Sequence, residues 1–206
     1  MIELLRETIA TALEGQWPAG FLRVAERRWV GPSIPHFRYL FEIQDMKGGK
    51  HSARWGVSVA FVPRLKGKKL NWKKTADKAD FDLCIDPVDV SGSIPDWCSF
   101  RESDSASRVR KAALASLDAA KADWSGLKSL SDIAQCFENR SRMRFERFSP
   151  QNYVQTDLAW GLVHVALGNR EQGERHLQSF CGNFDVPPDN PVLIQARTEA
   201  ASVHRG

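Results

Sequence analysis

The sequence contains no C-x-x-C pair: its four cysteines, Cys84, Cys98, Cys136 and Cys181, are widely scattered. That spacing excludes a zinc ribbon and a thioredoxin-type site, and in a chain of 206 residues it reads as four thiols rather than two disulfides. No apolar run is long enough to cross a bilayer. Glu3, Arg6, Glu7 and Glu14 interrupt the first residues, where a secretory leader would be apolar. A cytoplasmic location is therefore expected. There is no glycine-rich phosphate loop, no H-E-x-x-H pair and no nucleophile elbow around a serine, and no catalytic triad assembles from spacing alone. Low-complexity segments and fixed internal periods are also missing.

What is present describes an α+β protein. Ile2, Leu5, Ile9 and Leu13 form one stripe of an N-terminal helix over 2–14, ended by Trp17-Pro18-Ala19-Gly20. Four strands are expected to follow: an edge strand over 21–30, an alternating strand over 37–44 (Phe37, Tyr39, Phe41, Ile43), another over 53–62 (Trp55, Val57, Val59, Phe61), and a fourth over 80–86 (Phe81, Leu83, Ile85). A polar, glycine-containing loop, Asp45 to Lys50, joins the second to the third, so an antiparallel meander of four to five strands is predicted. The fifth, over 69–73, is expected to pair with 80–86. Beyond Pro95 the period becomes helical. One helix is predicted over 105–124, capped by Ser103 or Asp104, and a short one is started by Ser131. An αα-hairpin follows over 151–181, and a last helix begins at Asn190-Pro191. The expected organisation is an α+β part over 1–148 and a helical part over 149–206.

Residues 157–180 resemble a single tetratricopeptide-type helical hairpin. Gly161 and Gly173 stand where that repeat places small residues, and Leu167-Gly168-Asn169 stands at its turn. Asp157 departs from the large residue expected ahead of the first small one. The front half, with Trp55-Gly56-Val57-Ser58-Val59 and Phe81-Asp82-Leu83, is similar to small bacterial proteins of uncharacterised domain families. That resemblance implies a bacterial source and no known chemistry.

Net charge is only +4, but it is unevenly placed. Arg64, Lys66, Lys68, Lys69, Lys73, Lys74 and Lys78 crowd one stretch. The next carries Asp80, Asp82, Asp86, Asp89, Asp96, Glu102 and Asp104, and mutual neutralisation is one expectation. Lys66, Lys68, Lys69, Lys73 and Lys74 around Trp72 offer sequence-independent attraction for phosphates, with an aromatic for base stacking. They equally suit an acidic partner protein, or a solvated loop that protects a sheet edge. Arg140, Arg142, Arg144 and Arg147 extend this footprint if they share its face. Asp80 and Asp82, two apart on a strand, would share a face and are weak candidates for Mg²⁺ in phosphoryl transfer or nuclease chemistry. His164 and His176, on the two arms of the helical hairpin, are expected to meet across it. No cofactor is implied. The leading expectation is a non-enzymatic protein acting through protein–protein contact, as an adaptor, an immunity-type inhibitor or an assembly subunit. Nucleic-acid binding by residues 64–74 is the alternative.

Overall fold

The computed structural model describes residues 2–72, 75–85, 87, 93–143 and 156–204, with side chains from residue 5 onward. The order is helix α1 (Ile2–Leu13), strands β1 (Leu22–Ala25), β2 (Arg28–Val30), β3 (Phe37–Met46), β4 (Lys50–Val59), β5 (Arg64–Lys66), β6 (Lys69–Asn71), β7 (Leu83–Cys84) and β8 (Ser99–Arg101), then helices α2 (Ala106–Ser125), α3 (Leu130–Ser141), α4 (Thr156–Ala166), α5 (Arg170–Phe184) and α6 (Pro191–Val203). Single 3₁₀ turns lie at Ala76–Lys78 and Asp96–Cys98. The protein is α+β: an N-terminal helix, an antiparallel sheet and a helical C-terminal half. No described helix is long and apolar enough to cross a membrane.

The main sheet runs β1-β2-β3-β4-β7, and β8 shares the outer edge of β4 with β7. β3 and β4 pair from Phe37↔Val59 to Met46↔Lys50, so the loop between them is only Lys47-Gly48-Gly49, with both glycines at positive φ. Alternation then sends Phe41, Ile43, Ala53 and Trp55 into one core with α1, α2 and Trp29, while Leu40 and Val30 on the other face meet Ala79 and Phe81. Tyr39 ties the sheet to the end of α2, donating its hydroxyl to the carbonyls of Trp124 (3.1 Å) and Leu127 (2.6 Å). A second core joins Phe37, Val57 and Val59 to Ile133 and Phe137 of α3 and to the buried faces of α4, α5 and α6.

Several details differ from expectation. The edge strand over 21–30 is a tight hairpin, β1 turning into β2 through Glu26 and Arg27, with a register irregularity at Val24. β6 pairs with β5, not with the 80–86 segment, and forms a separate two-stranded sheet. Among the described residues, the strand expected over 80–86 is ladder only at Leu83–Cys84; Asp86 lies outside them. Flanking backbone bonds run from Asp82 N–H to Val57 O and from Ile85 N–H to Trp55 O, both 2.9 Å. Beyond them the Asp82 carboxylate takes the next donor, Val59 N–H, at 2.7 Å. The strand expected over 53–62 is β4, which ends at Val59, and Phe61 is buried within the turn that follows. β8 was not anticipated.

Helix starts also shift. Ser105, not Ser103 or Asp104, caps α2 by accepting from Arg108 N–H, because Asp104 spends its carboxylate on Arg101 N–H. Ser129, not Ser131, starts α3 in a capping box with Asp132, whose carboxylate accepts from Lys128 and Ser129 N–H at 2.9 Å each. Those bonds hold the Asp132 carboxyl below its ordinary range. Ser129→Ala is expected to lower stability by about 1 kcal/mol, read from a urea midpoint shift at unchanged slope.

The C-terminal hairpin follows the sequence from Thr156 onward, and residues 151–155 of its expected first arm lie outside the described residues. Gly168 makes the turn at φ +83°. At the crossing, a Cβ on Gly161 would lie 2.9 Å from the Leu177 side chain and 3.0 Å from Gly173 O, so the two glycines let α4 and α5 approach backbone to backbone. Asn190 caps α6, accepting from Val192 and Leu193 N–H, with Pro191 in its first turn.

Candidate functional site

The basic hairpin is a short, seated projection. Arg64↔Asn71, Leu65↔Leu70 and Lys66↔Lys69 face one another across β5 and β6, and Gly67, at φ +60°, begins the two-residue turn. Period two buries Leu65 and Leu70 in the helix-bearing core and exposes the residues between them. Two polar contacts fix the hairpin to the helices. Lys68 Nζ reaches Asp185 Oδ2 at 2.6 Å, where Asp185 ends α5 in a left-handed conformation. Trp72 Nε1 donates to Gln195 Oε1 of α6 at 3.2 Å. The Lys68–Asp185 pair is exposed, so its hydrogen bond raises the Lys68 pKa and lowers that of Asp185 while contributing little to stability.

The hairpin's charges divide accordingly. Arg64 Nε pairs with Asp80 at 2.8 Å, so the basic and acidic stretches do meet at this point. Lys68 is taken by Asp185. Lys66 and Lys69 stand directly opposite each other, and among the described residues neither has an acidic side chain at ion-pair distance. Like charges placed opposite on a ladder are unfavourable, so no attraction between these two side chains accounts for their placement, although exposed lysines also guard the open edges of a two-stranded sheet. Trp72 is half-buried against the helical core rather than offered as a free stacking surface. Lys73 and Lys74 lie outside the described residues.

Asp80 and Asp82 do not share a strand face; both precede β7. Asp80 sits between two cations, Arg64 at 2.8 Å and Arg28 at 3.6 Å. Asp82 is buried and accepts from Val59 N–H. Two neighbouring guanidinium groups oppose a divalent cation at Asp80. Among the described residues no three His, Cys, Asp or Glu side chains come together as a metal site. The arginines instead organise the second face of the sheet. Phe81 lies beneath Arg54 (4.6 Å from ring centroid to guanidinium) and Arg28 (5.7 Å). Arg54 also directs Nε and a terminal nitrogen at Cys84 Sγ, at 3.0 and 2.9 Å.

Elsewhere, Arg142 pairs with Glu138 in its own helix at 2.9 Å, and Arg140 borders a cleft of about 320 Å³ with Ile85, Leu127, Cys136 and Met143. Arg144 and Arg147 lie outside the described residues. A second groove, near α1 and β1, is lined by Trp17, Trp29, Glu14 and Arg23. Its rings are already engaged: Trp17 stacks on Trp29 (4.9 Å) and on Phe21 (5.3 Å), and Arg23 lies over Trp29. The expected meeting of His164 and His176 takes place, with centroids 5.8 Å apart and rings nearly parallel. No disulfide joins the four cysteines. Comparison of the chain with protein families, with characterised proteins and with solved structures gave no match.

Proposed function

We propose that this protein is a non-enzymatic interaction protein that engages an acidic segment of a partner polypeptide through the β5–β6 hairpin. The observation that carries the reading is the Lys66↔Lys69 pair, two like charges held opposite each other on a hairpin fixed by Leu65, Leu70, Trp72 and Lys68. The hairpin backbone is already seated, so meeting carboxylates costs little further backbone ordering. Each ammonium is a compact charge with rotatable donors, suited to carboxylates in variable geometry rather than to one fixed bidentate partner. The short span of the pair, and the engagement of Trp72 with α6, favour an acidic peptide over a nucleic-acid strand. A strand would call for a longer cationic track and free aromatic faces.

The test is fluorescence anisotropy with a labelled glutamate-rich peptide and with labelled single- and double-stranded oligonucleotides, each over a salt series. The peptide is expected to bind, more weakly as salt rises, and the Lys66→Glu/Lys69→Glu protein to lose on the order of tenfold or more in affinity. That variant should melt close to the parent, since it exchanges one exposed like-charge pair for another. Tight oligonucleotide binding with a steep salt slope would replace this reading with nucleic-acid recognition. Absence of binding to either probe at low salt would overturn it.

A further inference from the structure

The C-terminal hairpin contains a cluster that its packing alone does not call for. His164 of α4 is 7 % exposed, and among the described residues neither ring nitrogen has a hydrogen-bond partner. Buried polar groups are ordinarily satisfied, so a buried imidazole with two open nitrogens has a reason to be sought beyond packing. Its ring stacks against Trp160 (centroids 5.9 Å), whose own Nε1 is buried without a partner, and against His176 of α5. His176 is itself stacked on Trp160 at 4.2 Å, and its Nδ1 lies 3.0 Å from Asp157 Oδ1. Asp157 Oδ2 accepts from Ser179 Oγ at 2.6 Å. Serine thus serves the aspartate and not the imidazole, so the arrangement is no nucleophile–base pair.

We propose that the His164–His176 pair is an acid-sensitive latch: protonation of His164 inside the helical core loosens the seating of the α4–α5 hairpin on α3. The charges around it set the direction. From α5, His176 and Arg175 oppose a cation at His164; from α3, Glu138 favours one; from α4 itself, Asp157 acts by holding His176. α6 joins the same core through its buried Leu193, Ala196 and Ala200, and its terminal His204 lies beside Gly168, past the end of α4. Burial is the largest influence, His176 and Arg175 of α5 add to it, and together they outweigh Glu138, leaving the imidazole below its ordinary value. A histidine depressed in the folded state binds fewer protons there than when unfolded. The stability it protects is complete above the ordinary histidine range and is lost as pH falls through that range. The contacts at stake are those that hold α3 to α4, including Phe137 stacked on Trp160 at 5.8 Å.

The experiment is urea denaturation at about pH 8 and about pH 5.5 of the parent protein and of His164→Phe, which keeps a ring in the stack but removes the proton site. The parent midpoint is expected to fall on acidification and the variant midpoint to fall by clearly less. Equal falls in both would overturn the proposal. Should His164→Phe fail to fold, the parent protein decides by itself. A His164 ring titrating by NMR below the free-histidine value, together with faster amide exchange in α3 and α4 at the lower pH, supports the latch. An ordinary midpoint with unchanged exchange contradicts it.

Discussion

Gly56→Ala is expected to destabilise the protein on the order of 3 kcal/mol, and to do so by expelling β7 from the sheet rather than by disordering β4. A Cβ built on Gly56 would lie 1.9 Å from Leu83 O and 2.9 Å from the Leu83 carbonyl carbon. Both are backbone atoms, so no rotamer change relieves the clash. β4 is held along its whole length by β3, whereas β7 is a two-residue strand paired only to Gly56 and Val57. The weaker partner yields. Hydrogen exchange should show lost protection at Asp82 and Ile85, whose N–H groups bond to Val57 O and Trp55 O, with β3–β4 amides still protected. Loss of protection across β3 and β4 at the same time would show that β7 is integral to the sheet and not an addition to its edge.

Phe137→Ala should cost about 3–5 kcal/mol. Phe137 is fully buried in α3, stacked on Trp160 of α4, in the core that also contains Phe37, Val57 and Val59 of the sheet. Truncation leaves a void between the sheet and the helical half, which these separate elements can close only by moving toward each other against their other packing. A urea titration followed by both far-ultraviolet circular dichroism and tryptophan fluorescence checks this. Coincident curves with a lowered midpoint are expected, because one core links sheet to helices. Separated curves would show the helical half unfolding independently.

The helices were the most legible part of the fold. Apolar spacing, the Asn190-Pro191 start and the Gly168 turn each state a local rule, and each operates where it was expected. The glycines of the C-terminal hairpin were legible for the same reason, since close helix approach requires small residues at the crossing. The sheet's edges were harder. The β1–β2 turn uses Glu26 and Arg27, with neither glycine nor proline to announce it, so 21–30 reads as one strand. β6 pairs with β5 rather than with 80–86 because pairing is a tertiary choice. Leu65 and Leu70 bury together against the helices, and that partner is invisible in a local window. The Ser129–Asp132 capping box was written in the sequence as a serine three residues ahead of an acid, and a second serine at 131 obscured it.

The candidate site shows the same division. The run of lysines is plain in sequence, but which of them are neutralised depends on residues far along the chain: Asp185 takes Lys68, and Asp80 takes Arg64. Among the described residues of the hairpin, the fold separates Lys66 and Lys69 from Arg64 and Lys68. Asp80 and Asp82 look equivalent in sequence. The structure gives one to arginines and the other to a backbone amide, because the segment crosses the sheet face before it joins the ladder.

The central claim is that the seated hairpin, and not another part of the surface, is where a partner docks. Amide chemical-shift mapping during titration with a glutamate-rich peptide tests it most directly. Saturable shifts are expected, centred on Leu65 to Asn71 and reaching the α6 residues beneath Trp72, with none in the Lys66→Glu/Lys69→Glu protein. Shifts centred on the second sheet face around Arg28 and Arg54, with the hairpin unmoved, would contradict it.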